Sequence, residues 1–383
     1  MLVENQRILI EAVHKDLKKP DFEVIGTEID VVRNEIRSLL MNIDRLARPE
    51  SVAMTIATAM DQTVICYEPY GSILIIGAWN YPIQLILSPL VGAISAGNTA
   101  VLKPSEVSPA TSRTLAELLP RYLDKECYQI VEGGVAETTE LLGQKWDYIF
   151  YTGSPRIGKV IYEAAAKNMI PVTLELGGKS PCWFDDSISD LETALKRVVW
   201  GKLLNCGQTC VAPDYLLCTK EVQEKVVKTI PRILETFYGN DVHASKDYPR
   251  IVNENHFDRI LKLLGSTKGQ VVIGGKSVRE ELYFSPTVVT DVSFSDPLMA
   301  EELFGPILPI VTVSSADEAV EFINSREKPL AMYIFTNKKS IQDKFVKGTS
   351  AGSMAINDTI LQLTGLFPFH FLSVILLVIL TME

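Results

Sequence analysis

The sequence has few of the residues that mark several common classes of protein. It contains only four His, and its six Cys are scattered along the chain, so neither a metal site nor a disulfide framework is expected. It has no run of Lys or Arg, and its formal net charge of −10 argues against nucleic acid as the main partner. The first residues lack the basic-then-apolar order of a signal peptide, so we expect a reducing, cytoplasmic setting.

What the sequence does contain is the composition of a folded protein of two or three domains. Of its 383 residues, 47% are hydrophobic and 22% are charged, which excludes a disordered, collagenous or rod-like chain. The longest uncharged run, residues 366–382, reads LFPFHFLSVILLVILTM. As a helix it reaches about 25 Å, which is marginal against a hydrocarbon core of about 30 Å. Three alternatives remain for it: a membrane anchor, an alternative exon, or a mistaken gene model.

The central part of the chain alternates apolar strands with helical stretches. Between residues 70 and 176 the predicted strands are Ser72–Ile76, Thr99–Lys103, Tyr128–Val131, Tyr148–Tyr151 and Val172–Leu176. Between residues 187 and 336 they are Tyr215–Cys218, Gln270–Ile273, Ile307–Val313 and Ala331–Thr336. This alternation predicts an α/β fold: a doubly wound parallel sheet followed by a second α/β domain. An apolar stripe from Ile25 to Leu46 predicts one long helix before them.

Polar residues follow the predicted strands, at the edge where such sheets bind ligands. Asn80 follows the first strand and either donates to a developing oxyanion or caps the next helix. Lys103 and Glu106 follow the second strand as a donor and an acceptor suited to a ribose, although a solvated turn is the alternative. Residues 151–159, YTGSPRIGK, place glycines where backbone N–H groups can approach a phosphate, but their spacing is not G-x-G-x-x-G.

A carboxylate and a thiol complete the candidate chemistry. Glu175 ends a buried strand among Leu and Gly, so desolvation is expected to raise its pKa and make it a usable general base. A helix-cap partner or a buried ion pair is the structural alternative. Cys210 follows Gly207 and Gln208 at a turn, where it is either an exposed nucleophile or a small buried hydrophobe. The His residues form no local constellation, so no catalytic triad is supported.

Six motifs together resemble one known family. WNYP, KPSE, YTGSPRIGK, LELGGKSP, NCGQTCVAPD and EELFGP stand in the order of the aldehyde dehydrogenase superfamily, with the greatest similarity to its class-three branch, which includes fatty aldehyde dehydrogenases. The resemblance covers about residues 5 to 364. It implies a cofactor domain with N-terminal helices over 1–174, a catalytic domain over 175–345 and a segment returning to the cofactor domain over 346–364. Residues 365–383 form an atypical tail.

The resemblance also implies roles for individual residues. Cys210 corresponds to the nucleophile, Glu175 to the general base, and Asn80 to the oxyanion-stabilising amide. NAD or NADP is the implied cofactor, and its corresponding contacts are Ile76, Trp79, Lys103, Glu106, Gly153, Ser154, Gly158, Glu302 and Phe304. The implied reaction oxidises hydrophobic aldehydes, fatty or aromatic, to carboxylic acids through a cysteine thiohemiacetal and thioester. Glu106 favours a free ribose hydroxyl over a phosphate.

The chain departs from the family after Thr364, where a Pro-Phe-Gly-Gly segment is replaced by the apolar tail. Two functional interpretations follow. The first is a working enzyme, expected to be a homodimer if the replaced segment is dispensable, with membrane contact through 366–382 on the cytosolic face of the endoplasmic reticulum. The second is a catalytically impaired, membrane-attached variant that acts as an interaction protein. A third interpretation is a CoA-acylating relative. Glu175 argues against it, because a base that activates water would divert the thioester to hydrolysis.

Overall fold

The computed structural model describes residues 1–53, 55–58, 63–364 and 379–381. The chain divides into two compact units. The first combines Met1–Ala12 with Val24–Glu175, and the second combines Val13–Glu23 with Leu176–Glu383. The division at Glu175 lies next to the predicted domain boundary, whereas the N-terminal segment Val13–Glu23 belongs to the second unit, which the sequence pattern does not indicate.

The regular elements are numbered here in chain order. The helices are α1 Gln6–Leu17, α2 Asp21–Val24, α3 Asp30–Leu46, α4 Gln84–Ser95, α5 Pro109–Leu118, α6 Val135–Leu142, α7 Pro155–Ala166, α8 Leu191–Leu203, α9 Lys220–Tyr238, α10 Glu254–Ser266, α11 Ala316–Asn324 and α12 Lys339–Gly348. The strands are β1 Glu50–Ser51, β2 Val64–Ile65, β3 Ser72–Ile76, β4 Thr99–Lys103, β5 Tyr128–Ile130, β6 Tyr148–Gly153, β7 Val172–Leu176, β8 Pro181–Phe184, β9 Tyr215–Cys218, β10 Gln270–Ile273, β11 Ser277–Val278, β12 Tyr283–Phe284, β13 Thr287–Thr290, β14 Ile307–Thr312, β15 Ala331–Phe335, β16 Ser353–Ile356 and β17 Ile379–Thr381.

The first unit is built on a five-stranded sheet. Its strand order is β5-β4-β3-β6-β7, and β3 pairs in parallel with both β4 and β6. Leu74 and Ile75 of the central strand are completely buried, because the helices between successive strands cover both faces of a parallel sheet. The predicted doubly wound parallel sheet is confirmed, and β3, β4 and β7 have the predicted bounds.

The predicted N-terminal helix is also present, with one irregularity. A π-helical segment, Ile25–Ile29, precedes α3. Glu28 in this segment is fully buried, and its Oε2 accepts a hydrogen bond from the backbone N–H of Ile83 at 2.8 Å, just before α4 begins. This carboxylate therefore satisfies a donor that the start of α4 would otherwise leave unpaired.

The second unit is built on an eight-stranded sheet in the order β10-β13-β14-β9-β8-β15-β16-β17. Its pairs are parallel except β10 with β13. The four predicted strands are present here. The sequence pattern missed the other four strands, β8, β13, β16 and β17, which are three or four residues long. The predicted return segment 346–364 contains β16, which pairs with β15 inside this sheet.

Most of the apolar tail lies outside the described residues. The predicted membrane contact through 366–382 concerns this region, of which only β17 is described, paired in parallel with β16. Among the residues that the structure describes, no helix combines the length and the apolar character needed to cross a bilayer.

Candidate active site

The end of β3 leads into a buried turn. Ile76 is 6% exposed and Asn80 is 3% exposed, while Trp79 is half-buried. The N-cap position of α4 is Ile83, and Glu28 supplies the hydrogen bond there. Asn80 is therefore not the N-cap residue of α4, and its oxyanion role stays a prediction.

Lys103 and Glu106 form an ion pair at the end of β4. Lys103 Nζ donates to Glu106 Oε2 at 2.8 Å, and the side chains are 3% and 50% exposed. The solvated-turn interpretation is thus wrong for Lys103. A buried ammonium beside a half-exposed carboxylate presents one donor and one acceptor at the ligand edge of a parallel sheet. This donor set fits a ribose with free hydroxyls.

The turn after β6 opens the helix α7 directly. Ser154 is the N-cap, and its Oγ accepts from the backbone N–H of Ile157 at 3.5 Å, with Pro155 as the first helical residue. Ser at the N-cap and Pro behind it are the preferred residues at such a start. Gly153 has no room for a Cβ, which would overlap the Tyr151 hydroxyl. Gly158 is buried in the first turn. A helix N-terminus in this position suits a phosphate group.

Glu175 is the penultimate residue of β7. It is half-buried, and burial raises the pKa of its carboxyl group. This agrees with the desolvation expected for a carboxylate among Leu and Gly. Its use as a general base stays a prediction.

In the second unit, a braced loop carries Cys210. The loop follows α8 and begins with Asn205 and Cys206 in left-handed conformation, with φ of 52° and 57°. The Gln208 amide then fixes it, since Nε2 donates to the carbonyl groups of Asn205 at 3.0 Å and Arg250 at 2.9 Å. Gln208 Oε1 also accepts from the N–H of Val252 at 2.9 Å. These three bonds hold the backbone two residues before Cys210.

The two cysteines of this loop have different environments. Cys206 is fully buried, its thiol donates to the Tyr248 hydroxyl at 3.6 Å, and burial raises its pKa to about 12. Such a thiol is inert. Cys210 is half-buried and lies at a turn, so it has the partial exposure that a nucleophile requires.

Asp214 connects this loop to two other motifs of the second unit. Its carboxylate accepts from Lys179 Nζ at 2.5 Å and from the backbone N–H of Leu303 at 3.1 Å, and Lys202 Nζ lies 3.9 Å away. Gly207, with φ of +76°, packs closely against Gly305, since a Cβ on Gly207 would overlap the carbonyl oxygen of Gly305. The LELGGKSP, NCGQTCVAPD and EELFGP motifs are therefore in contact through Asp214 and Gly207.

Glu302 lies on the glycine turn that follows β7. A Cβ on Gly177 would overlap its carboxylate, and the N–H of Gly178 donates to it. Burial, reinforced by the Asp214 charge, raises the pKa of Glu302 to about 8. Arg259 braces the same segment by donating to the Glu301 carboxylate at 2.9 Å and to the carbonyl group of Glu302 at 3.3 Å. The next candidate contact along the chain, Phe304, is half-buried and has a left-handed φ of 49°.

Sequence reasoning missed several residues that organise these loops. Lys179 and Asp214 lie within two of the six family motifs, next to apolar strands. A charge in such a place is costly unless it is paired, so the pattern indicates a buried ion pair. Lys202, in an apolar stretch of α8, carries the same signal. Arg259 and Gln208 carry no comparable signal, since each has partners in a segment that is distant along the chain.

The structure thus brings the candidates together in two groups. The candidates of the first unit lie at or just after the carboxyl ends of its strands: Ile76, Trp79, Asn80, Lys103, Glu106, Gly153, Ser154, Gly158 and Glu175. Those of the second unit are Cys210, Glu302 and Phe304, whose two loops meet through Asp214. The meeting of Cys210 with Asn80 and Glu175 at one centre stays a prediction. Among the described residues, no three His, Cys, Asp or Glu are grouped to hold a metal ion.

Comparisons with known proteins show which family this chain resembles. Residues 1–370 match the model of the "Aldehyde dehydrogenase family". The chain is 49% identical over 363 residues to aldehyde dehydrogenase family 3 member B2 of Mus musculus, covering 95% of this chain and 75% of the relative. It is 48% identical over 364 residues to family 3 member A2 of Rattus norvegicus, with the same coverage of 95% and 75%.

Solved structures show the same fold. The substrate-bound state of Staphylococcus aureus AldH superposes with a TM-score of 0.92 at 39% identity, covering 95% of this chain and 79% of that one. An E. coli NADP-dependent enzyme superposes with a TM-score of 0.86 at 25% identity, covering 94% of this chain and 75% of that one. An indole-3-acetaldehyde dehydrogenase in complex with NAD+ superposes with a TM-score of 0.85 at 27% identity, covering 93% of this chain and 74% of that one. The chain therefore belongs to the aldehyde dehydrogenase family, whose enzymes oxidise aldehydes with NAD or NADP.

Proposed function

We propose that this chain oxidises hydrophobic aldehydes, fatty or aromatic, to carboxylic acids, with Cys210 as the nucleophile. The observation that carries the proposal is the contrast between Cys206 and Cys210. The braced loop buries the first thiol completely and leaves the second partly exposed. The hydrophobic substrate class is supported by the resemblance to the class-three branch and by the family 3 relatives.

The first step is attack of the Cys210 thiolate on the carbonyl carbon of the aldehyde. The carbonyl π-bond opens, and the negative charge moves to the oxygen of a thiohemiacetal. The buried Asn80 amide and the backbone N–H of Cys210 are the proposed donors to that oxygen. Losing one such donor typically lowers turnover about 10²- to 10³-fold.

When bound, NAD or NADP would supply the hydride acceptor. As the thiohemiacetal carbon loses hydride, the charge on its oxygen re-forms the C=O bond, and Cys210 is left as a thioester. The Lys103–Glu106 pair would hold the ribose, the N-terminus of α7 would hold the pyrophosphate, and Glu302 with Phe304 would hold the nicotinamide riboside. Ile76 and Trp79 would contact the adenosine side.

Glu175 completes the reaction by taking a proton from the water that hydrolyses the Cys210 thioester. The acyl–sulfur bond breaks, the thiolate leaves, and the acid is released. The burial that raises the pKa of Glu175 makes its carboxylate a stronger base. Glu175 also supports hydrolysis over transfer to CoA.

Stopped-flow measurement of NADH with a long-chain aldehyde tests these roles. Cys210→Ser is expected to give no NADH burst. Glu175→Gln is expected to give a burst near one equivalent per site followed by slow turnover, because oxidation precedes hydrolysis. Cys66→Ser, at an exposed cysteine, is the matched control and should behave like the unaltered chain. A full burst from Cys210→Ser refutes the nucleophile assignment.

The same assay separates the enzyme from the alternative of an impaired, membrane-attached interaction protein, which predicts cofactor binding without turnover. A homodimer and a cytoplasmic location, with or without attachment to the endoplasmic reticulum, stay predictions.

A further inference from the structure

The candidate nucleophile lies in a tight turn of the second unit. Cys210 and Val211 are its two central residues, and the backbone N–H of Ala212 closes it by donating to the carbonyl oxygen of Thr209 at 2.9 Å. Thr209 and Val211 are buried, so the half-buried Cys210 has buried neighbours on both sides. The hydrogen bonds of this turn therefore set the direction of the Cys210 backbone.

A tyrosine of the eight-stranded sheet reaches this turn from β15. Tyr333 is completely buried, and its hydroxyl group donates to the carbonyl oxygen of Val211 at 2.5 Å. The Nε2 of Gln362 donates to the same hydroxyl group at 3.1 Å, so the phenol oxygen both donates and accepts a hydrogen bond. Burial raises the pKa of Tyr333 well above its ordinary value, so the hydroxyl group keeps its proton and stays a donor under assay conditions.

Two linked peptide groups connect this contact to Cys210. The Val211–Ala212 peptide group is held on both sides, because its carbonyl oxygen accepts from Tyr333 and its N–H donates to the carbonyl oxygen of Thr209. The Thr209–Cys210 peptide group is planar and trans, so its N–H points away from the carbonyl oxygen that accepts this second bond. That N–H belongs to Cys210 and is the proposed backbone donor to the thiohemiacetal oxygen.

We propose that Tyr333 is a positioning residue for the oxidation step, whose hydroxyl group holds the turn so that the N–H and the thiol of Cys210 face the aldehyde carbonyl group. This inference rests on the proposed role of Cys210. Gln208 holds the backbone before Cys210, whereas Tyr333 holds it after, so the nucleophile is fixed from both directions along the chain. Tyr333 acts through the backbone of the turn and not by contact with the aldehyde.

The test measures the first turnover by stopped-flow detection of NADH, with the full chain and NAD in excess over a long-chain aldehyde. Tyr333→Phe removes one oxygen atom, keeps the ring, and leaves the Val211 carbonyl group without its donor. The rate constant of NADH formation should fall about ten- to hundredfold, because misplacing a reacting group by about 1 Å can cost about 10²-fold, and losing an oxyanion donor about 10²- to 10³-fold. KM for NAD should be unchanged, because none of the proposed cofactor contacts lies in this turn.

A purely structural role of Tyr333 predicts a different result. The melting temperature would fall, but the molecules that remain folded would form NADH at the normal rate constant, and this outcome overturns the inference. Tyr128→Phe is the matched control, because the Tyr128 hydroxyl group also donates to a backbone carbonyl group, that of Asn98 at 3.4 Å. This bond lies at the amino ends of β4 and β5, opposite the predicted ligand edge of the sheet, so the first turnover of Tyr128→Phe should be unchanged.

A second variant reaches the same phenol from its other partner. Gln362→Leu keeps Tyr333 and removes the side chain that donates to its hydroxyl group. The first turnover should slow about two- to tenfold, the change that corresponds to the net free energy of one hydrogen bond. If Tyr333→Phe does not fold, an unchanged rate constant in Gln362→Leu overturns the inference.

Cys210→Ser separates this inference from the function on which it rests. If Cys210→Ser forms NADH at the rate of the unaltered chain, Cys210 is not the nucleophile, and both the proposed function and the inference are overturned. If Cys210→Ser forms no NADH while Tyr333→Phe reacts at the normal rate, the proposed function stands and only the role of Tyr333 is refuted.

Discussion

Replacing Asp214 with alanine is expected to destabilise the second unit strongly. Asp214 and Lys179 are 4% and 7% exposed and lie 2.5 Å apart, and Lys202 has no other carboxylate within 4.0 Å among the described residues. The substitution removes the only carboxylate within 4.0 Å of either buried ammonium group among the described residues, and it removes the acceptor of the Leu303 N–H.

The magnitude follows from the burial. Removing one partner of a buried ion pair costs about 3–5 kcal/mol, and orphaning a buried N–H costs about 1–3 kcal/mol. Because the two costs overlap at one side chain, we expect the free energy of unfolding to fall by about 4 kcal/mol, a large share of the 5–15 kcal/mol typical of a domain. Asp214→Asn keeps an oxygen for the Leu303 N–H and should lose less.

Native-state hydrogen exchange of the β9 and β14 amides measures this loss within the second unit, without requiring the whole chain to unfold in one step. The matched control is Asp186→Ala, which removes an ion pair of similar length, 2.6 Å to Lys338, between side chains that are 63% and 49% exposed. That change should cost less than about 1 kcal/mol. If Asp214→Ala costs no more than Asp186→Ala, the buried charges do not stabilise the loops and the reasoning fails.

Three other outcomes are expected. Gly207→Ala forces a Cβ against the Gly305 carbonyl group at a left-handed φ, so thermal denaturation should show a loss of about 2–4 kcal/mol, while Gly97→Ala, at a similar φ with its nearest contact at 3.7 Å, should lose about 1 kcal/mol. Thioester hydrolysis, followed by rapid-quench, should slow as pH falls through the raised pKa of Glu175, because the base must be ionised; an unchanged rate at acidic pH contradicts its role. Glu106→Gln removes the carboxylate beside Lys103, so the ratio of kcat/KM for NAD to that for NADP should fall at least about tenfold, and a constant ratio in steady-state assays counts against the ribose assignment.

The first sheet was predictable because its strands follow simple local rules. Each strand of a parallel sheet covered on both faces is an uninterrupted apolar run, so β3 and β4 stand out from the polar turns around them. The second sheet was only half predictable. Strand β8 begins at Pro181 directly after a Gly-Gly-Lys-Ser turn, and its four residues carry no periodicity, so only its neighbours β9 and β15 define it.

The candidate site shows the same division. The raised pKa expected for Glu175 could be argued from its apolar neighbours in the chain, since desolvation is a property of the immediate surroundings. The contrast between Cys206 and Cys210 could not, because it depends on a left-handed turn and on Gln208 reaching the backbone of Arg250 and Val252.

The sequence by itself determined the α/β class, the parallel sheet of the first unit and the motifs that mark the family, because short-range apolar patterns and turn residues encode them. Only the tertiary structure decided that Asp214 joins three of those motifs, that Lys202 is buried beside it, and that Val13–Glu23 belongs to the second unit. These features depend on contacts between residues that are distant along the chain, such as Asp214 and Leu303, which are 89 positions apart. The free-energy cost of an unpaired charge also arises only when folding buries it.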